Sequence, residues 1–209
     1  MNPQSATPAA PIEFWFGSAD LHHSPPEPLR KRWFQRSDRF DEEIRSRFGT
    51  AVELALNGQL AYWRDTLVGQ LGLILLCDQF TRNLYRGSAQ AFAGDAQALE
   101  ISQALVRDNV HTQLGLHQRA FAGMPLEHSE LAEVQNQSVA YFDQIQRDYA
   151  ANSPDSTEKD AKAATGYYRF AVAHQNVIQQ FGRYPHRNQA LGRQSTPEEQ
   201  DWLDNGGGF

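Results

Sequence analysis

Apolar residues recur along this chain at helical spacing. Phe40, Ile44 and Phe48 stand four apart, and Leu54 and Ala55 continue their face. Ser37-Asp38 places a capping hydroxyl and a carboxylate ahead of them, so the pattern predicts an amphipathic helix from residue 38 to about Asn57-Gly58. A second helix is predicted from Asp65-Thr66 through Leu67, Leu71, Ile74, Leu75, Phe80 and Leu84. Its middle is apolar on nearly every side, which marks it as the central buried helix. A third is predicted over 88–108, on Phe92, Leu99 and Leu105, followed by a loop and a short turn around Phe121. Ser129 reads as the cap of a fourth helix over 130–150, with Leu131, Val134, Val139, Phe142 and Ile145 on its apolar face. A surface loop over 152–157 leads to a fifth helix over 158–181, which Gly182 and Pro185 bring to an end. Thr196-Pro197-Glu198-Glu199 combines a capping hydroxyl, a proline at the first helical position and a glutamate at the third, the signature of a short final helix stopping before Gly206. No run of period-two alternation is long enough for a sheet, and no repeat of about 34 residues is visible. The predicted class is all-α, with residues 1–11 a flexible tail and 12–209 a single helical domain. The Phe14-Trp15-Phe16 cluster is expected to pack on the body of that domain.

Composition narrows the function classes. With 209 residues, 40% hydrophobic and 11% aromatic, the chain has enough apolar material for a packed core. Leu71 to Cys77 is the longest apolar run, far short of the ~20 residues a membrane span needs. A net charge of −6 argues against nucleic acid or anionic membrane as partners. The single cysteine, Cys77, rules out an intrachain disulfide and fits a reducing compartment. Residues 1–11 have neither the positive charge nor the hydrophobic stretch of a secretory signal, so a cytoplasmic location is expected. Sixteen of the 19 basic residues are Arg, the side chain suited to ordered, bidentate hydrogen bonding.

Three polar clusters could carry chemistry. At the end of the second helix, Asp78, Arg82 and Arg86 share one face and Gln79 and Asn83 another, because residues four apart stack on a helix. They form either a salt-bridged face or a set of donors for an anion. After the fifth helix come Arg183, His186, Arg187, Asn188 and Arg193. These read either as a plug closing a helix end or as a ligand site, backed by the helix start at Thr196-Pro197. The third cluster is His128-Ser129-Glu130. Its serine reads as a cap, and His128 with Glu130 forms a candidate acid–base pair or metal-ligand pair. His174 reads as a core histidine, Cys77 as buried and inert, and His22, His23, His111 and His117 lack metal-ligand spacing. No phosphate-binding glycine loop, nucleophile elbow, zincin pair or dinucleotide fingerprint is present, so no cofactor and no metal are expected.

The same clusters carry a family resemblance. Leu73 to Gly87, Pro125 to Glu130, and Phe181 to Asn188 with Leu191 to Glu199 resemble the three motif blocks of the bacterial domain of unknown function 924 family. The resemblance implies a tetratricopeptide-like all-helical fold of antiparallel helix pairs and brings no established activity. Thr81 stands where that family usually has proline, Glu127 where it often has an apolar residue, and Gln175-Asn176 where Arg-Asp is frequent.

The functional expectation is a binding module whose Arg-rich polar pocket takes a small anionic ligand or an acidic peptide end. Asp78, Gln79, Arg82, Asn83, Arg86, Arg183, His186, Arg187, Asn188 and Arg193 would line it, the three clusters meeting in space. With Asp78 and Glu130 as the only acids in the clusters, positive charge would be left over. Two alternatives stand beside it: an enzyme acting on an anionic metabolite, with His128 or His186 as general acid–base and Glu130 as partner, and a protein-interaction adaptor.

Overall fold

The computed structural model describes residues 7–154 and 156–208, and among them there are helices and turns but no strand. The order is α1 (Ala9–Phe16), α2 (Glu27–Trp33), α3 (Asp38–Leu56), α4 (Leu67–Ile74), a π-helical segment (Leu75–Phe80), α5 (Thr81–Leu84), α6 (Asp95–Arg107), α7 (Leu116–Glu127), α8 (Ala132–Asp148), α9 (Glu158–Phe181) and α10 (Pro197–Asp204). These helices group into two compact units. One holds the described residues up to Arg86 with Gln90–Pro125, the other Gly87–Ala89 with the described residues from Leu126 onward. No helix among the described residues is long and apolar enough to cross a membrane.

In the first unit α1 lies in the core. The expected tail over 1–11 is therefore corrected for Ala9 to Pro11, which are helical, with Pro11 buried; residues 1–6 lie outside the described residues. Phe14 stacks on Phe40 at 5.5 Å between ring centroids, and Trp15 meets Phe80 at 5.4 Å and Phe121 at 5.6 Å. The Trp33 indole donates to the carbonyl of Trp15 at 2.9 Å, tying α2 to α1. Ser37 caps α3 by accepting from the Phe40 N–H, and Thr66 caps α4 by accepting from the Gly69 N–H. Leu71, Leu73, Ile74, Leu75, Leu76, Cys77 and Phe80 are all fully buried, as the central-helix reading requires.

Two features of this unit differ from the pattern-based expectation. The predicted helix over 88–108 is a 3-10 turn at Ala89–Phe92 and then α6. Between them, Gly94 sits where an added Cβ would lie 2.2 Å from the Cys77 carbonyl, so the bare backbone allows this close approach and the chain bends there. The turn expected around Phe121 is the 12-residue α7. Every residue from Leu116 to Glu127 is buried, so this helix has no solvent face to generate an apolar-polar period.

In the second unit α8 and α9 pack as an antiparallel pair: Gln175 donates to Asn136 at 2.8 Å, while Phe142 meets Tyr167 at 6.5 Å. Val177, Ile178 and Tyr184 form a buried cluster, with Phe181 and Trp202 against it. Thr157 with Asp160 and Thr196 with Glu199 form capping boxes at α9 and α10, and Gly182 ends α9 with φ of 69°. The cap assigned to Ser129 is corrected. The N-cap of α8 is Leu131 with no side-chain cap bond, and Ser129 Oγ instead accepts from the Leu131 N–H at 3.2 Å. Leu131, expected on the apolar face, is 54% exposed because the helix starts after it.

Candidate functional site

The cluster Asp78 to Arg86 is a closed network of carboxylates inside the first unit. Asp78 is fully buried on the π-helical segment and takes Gln79 Nε2 at 2.6 Å and Arg82 Nη1 at 3.2 Å. Arg82 also forms a two-bond fork on Asp95, at 2.8 and 3.0 Å, and donates to the Asp78 carbonyl at 2.6 Å. Asn83 and Arg86 converge on Asp41, Asn83 at 2.7 Å and Arg86 through Nε at 2.6 Å and Nη2 at 3.1 Å. Burial pushes the Asp41 pKa up, but the bonds from Arg86 and Asn83 outweigh it and hold the carboxyl below its ordinary value. Asp41 and Asp95, which the motif reading left out, therefore balance these arginines. The expectation of leftover positive charge fails here, since the guanidinium forks are spent on protein carboxylates. The Cys77 thiol, buried beside Asp78, is pushed up to about 12 and is inert as a nucleophile.

The clusters around His128 and Arg183 do meet, inside the second unit. Glu130 precedes α8 and receives Arg193 on both oxygens, at 2.7 and 2.9 Å, and the Tyr184 N–H at 2.8 Å. Burial raises its pKa, yet the Arg193 and Tyr184 bonds bring it below the usual carboxylate value, so Glu130 is a poor proton carrier near neutral pH and serves to hold the 182–193 loop. Arg183 forks onto Glu199 at 2.6 and 2.8 Å. That bond, opposed by burial and helped by the Thr196 N–H, pulls the Glu199 carboxyl down to about 2. Asn188, 1% exposed, donates to Glu199 and Ser195 at 3.1 Å and accepts from Arg193 at 2.9 Å. Arg183, Asn188 and Arg193 thus hold the loop together through Glu199 and Glu130.

What the loop presents is different. The Tyr184 ring, fully buried, is flanked by His174 at 5.7 Å and His186 at 5.5 Å, and the Arg187 guanidinium lies 4.5 Å over its centroid. His128 approaches His174 to 6.1 Å. Two imidazoles and a guanidinium thus surround the Tyr184 ring, and a third imidazole, His128, stands against His174; the four come from three chain segments. His174 belongs to this group as well as to the core: its Nδ1 lies 2.8 Å from the Phe170 carbonyl. Burial, and then the neighbouring His128, hold its pKa down to about 3, so it is neutral near pH 7. The Tyr184 phenol is pushed above its ordinary value by burial and Glu127, against the pull of Arg187.

Beneath the ring lies a residue that sequence reasoning missed. Gln135 Nε2 donates among the Glu127 carbonyl at 2.8 Å, the Ser129 carbonyl at 2.6 Å and the Tyr184 hydroxyl at 2.8 Å, while that hydroxyl donates to the Glu127 carbonyl. The amide closes the exposed carbonyls at the end of α7. Its Oε1 has no hydrogen-bond partner, nor has the Ser138 hydroxyl one turn further along α8, and both residues are fully buried. Each such group costs on the order of 1–3 kcal/mol. A lone Gln and Ser inside an amphipathic pattern gave no signal in the sequence. Among the described residues no group of three or more His, Cys, Asp or Glu is placed to hold a metal ion.

A family model described as a bacterial protein of unknown function (DUF924) matches residues 12–207, and the chain belongs to that family. It is similar to a solved structure of a protein of unknown function from Agrobacterium tumefaciens, with 27% identity, a TM-score of 0.76 and coverage of 95% of this chain and 97% of that one. No curated protein matches the chain.

Proposed function

We propose that this family member binds a small anion, a carboxylate or phosphate, at the His128, His186 and Arg187 group of its second unit, and takes up a proton as it does so. The observation that carries the reading is the gathering of His174, His186 and Arg187 about Tyr184, with His128 against His174. Charge explains why a proton accompanies the ligand. Arg183, Arg187 and Arg193 are matched in number by Glu127, Glu130 and Glu199 of the same unit, so an entering anion brings uncompensated negative charge. His174 is held neutral by burial. His186 is exposed and His128 half-buried, so these two imidazoles are the ones able to take the proton and become donors to the anion. The ligand is then held by charge-assisted bonds from imidazolium and Arg187.

We read the protein accordingly as a cytoplasmic, tetratricopeptide-like binding module. Glu130, held by Arg193, is a poor partner for acid–base catalysis, which weakens the enzyme alternative.

The test is thermal denaturation with phosphate, sulfate or succinate against chloride at matched ionic strength, at pH 6 and at pH 8. A ligand that binds only the native state raises the melting temperature by mass action. The reading predicts a rise over chloride that is larger at pH 6 and is lost in His186→Gln and Arg187→Gln. Equal curves in all four salts would leave the cluster a structural one.

A further inference from the structure

Arg30, on α2 of the first unit, has no acidic partner among the described residues. Its neighbours in kind do: Arg32 reaches Glu43 at 2.8 Å, Arg64 reaches Glu100 at 2.9 Å and Arg82 reaches Asp95 at 2.8 Å. The Arg30 guanidinium instead faces an imidazole, Nη1 standing 3.5 Å from His117 Nε2, and its Nε is enclosed without a hydrogen-bond partner. Glu27, three residues earlier, pairs with Lys31 at 2.9 Å. A half-buried cation of this kind gives up hydration with no carboxylate to offset it.

Beside Arg30 stands an exposed aromatic ring. Phe34 follows α2 directly, four residues on, so the two side chains share one side of the helix, about 5–6 Å apart at Cβ. α7 repeats the spacing beneath them: His117 faces Arg30, and Phe121, four residues further, stacks on Phe34 at 6.4 Å between centroids. Trp33 packs on His117 at 5.7 Å and on Phe121 at 4.8 Å, and meets Phe34 edge-on at 6.2 Å. Trp33, His117 and Phe121 are buried, whereas Phe34 is 68% exposed. The seam of α2 and α7 thus presents a positive charge and a fixed apolar ring one helical turn apart.

We propose that this seam is a recognition site of the first unit, sharing no residue with the histidine group of the second, and that it takes the C-terminus of a peptide ending in a large apolar residue. Charge complementarity brings a carboxylate to Arg30, and Phe34 receives an apolar group. At a chain end the carboxylate and the last side chain leave the same carbon, so both reach a spot one helical turn long. Inside an extended peptide, neighbouring side chains point to opposite faces, so an acidic residue and the apolar residue beside it do not both reach.

The test follows the amide and indole N–H resonances of the full chain by NMR as acetyl-Gly-Gly-Phe is added, as the free acid and as the C-terminal amide. Acetyl-Gly-Gly-Gly and acetyl-Gly-Asp-Phe-Gly-amide are the comparisons. The free acid should shift Phe34 and the Trp33 indole and bind on the order of tenfold tighter than the amide, the worth of one charge-assisted hydrogen bond, with the ratio shrinking as NaCl is added. Arg30→Gln should abolish the ratio and keep the melting temperature, since it removes a cation paired with no carboxylate. Phe34→Ala should reduce the affinity for the Phe peptide to that for the Gly peptide, and His186→Gln should change nothing. Acid and amide binding alike, a ratio that survives Arg30→Gln, or an internal Asp that binds as well as the free terminus would each overturn the proposal. Binding lost in His186→Gln would place the peptide in the second unit and overturn it too. Should Arg30→Gln lower the melting temperature, Phe34→Ala decides, because that ring is exposed: an affinity unchanged there rejects the site.

Discussion

Arg86 and Asp41 meet as a two-bond fork, Nε to Oδ2 at 2.6 Å and Nη2 to Oδ1 at 3.1 Å, although 45 residues of chain separate them. Asp41 sits near the start of α3 and takes Asn83 as well, so one carboxylate answers two members of the motif that looked most like an anion site. Replacing Asp41 by Ala leaves Asn83 buried without its acceptor. We predict a loss of about 1–3 kcal/mol in urea unfolding. Arg86→Ala should cost less, because Arg86 is exposed and solvent can serve Asp41.

The close approach of Gly94 to the Cys77 carbonyl makes a second prediction. A methyl group there would lie 2.2 Å from a backbone oxygen of the π-helical segment, which cannot swing aside as a side chain could. Gly94→Ala should destabilise by about 1–3 kcal/mol, as overpacking does, and alanine is also the poorer residue at this N-cap position of α6. A stabilised variant would mean the two segments are not held together.

His174 predicts a pH dependence. Its folded pKa, about 3, lies below the ordinary 6.5, so between these values the unfolded chain binds a proton that the folded one refuses. Stability from this group is complete above pH 6.5 and is lost as the pH falls toward 3. His174→Gln should flatten that part of the profile in urea unfolding measured at several pH values. An unchanged slope would show that His174 titrates normally.

Glu199 acts in a lower window. Its carboxyl is held at about 2 rather than 4.5 by Arg183, so its contribution is present above pH 4.5 and disappears as the pH falls to 2. Glu199→Gln should lower stability at pH 7 and narrow the difference from the parent below pH 3. The variant also loses the N3 carboxylate of a capping box, so fraying of α10, seen as faster amide exchange after Thr196, should accompany it.

The parts of this fold that were legible in the sequence are those with local causes. Ser37, Thr66, Gly182 and the Thr196 box mark helix ends through their own hydrogen bonds or backbone angles, and each does so in the structure. The part that escaped depends on distant neighbours. α7 is buried on all sides and carries Pro125, so neither its period nor its composition announces a helix. The arginine clusters were visible, but their partners Asp41, Asp95 and Glu199 come from residues outside the motif's own face, and spacing along one helix cannot reveal them. His174 was read as a core residue, and its burial agrees. Its ring contacts with His128 and Tyr184 depend on the α8–α9 pairing and the loop beyond α9.

The central claim is that His128 and His186 receive an anion together with a proton. The most direct measurement is a titration of the imidazole resonances by NMR, with phosphate and with chloride, His128→Gln and His186→Gln supplying the assignments. His22, exposed in the first unit, serves as the internal reference. The account predicts that phosphate shifts the His128 and His186 signals saturably and raises their pKa, while chloride does not and His22 stays fixed. Phosphate and chloride acting alike on every histidine would contradict it.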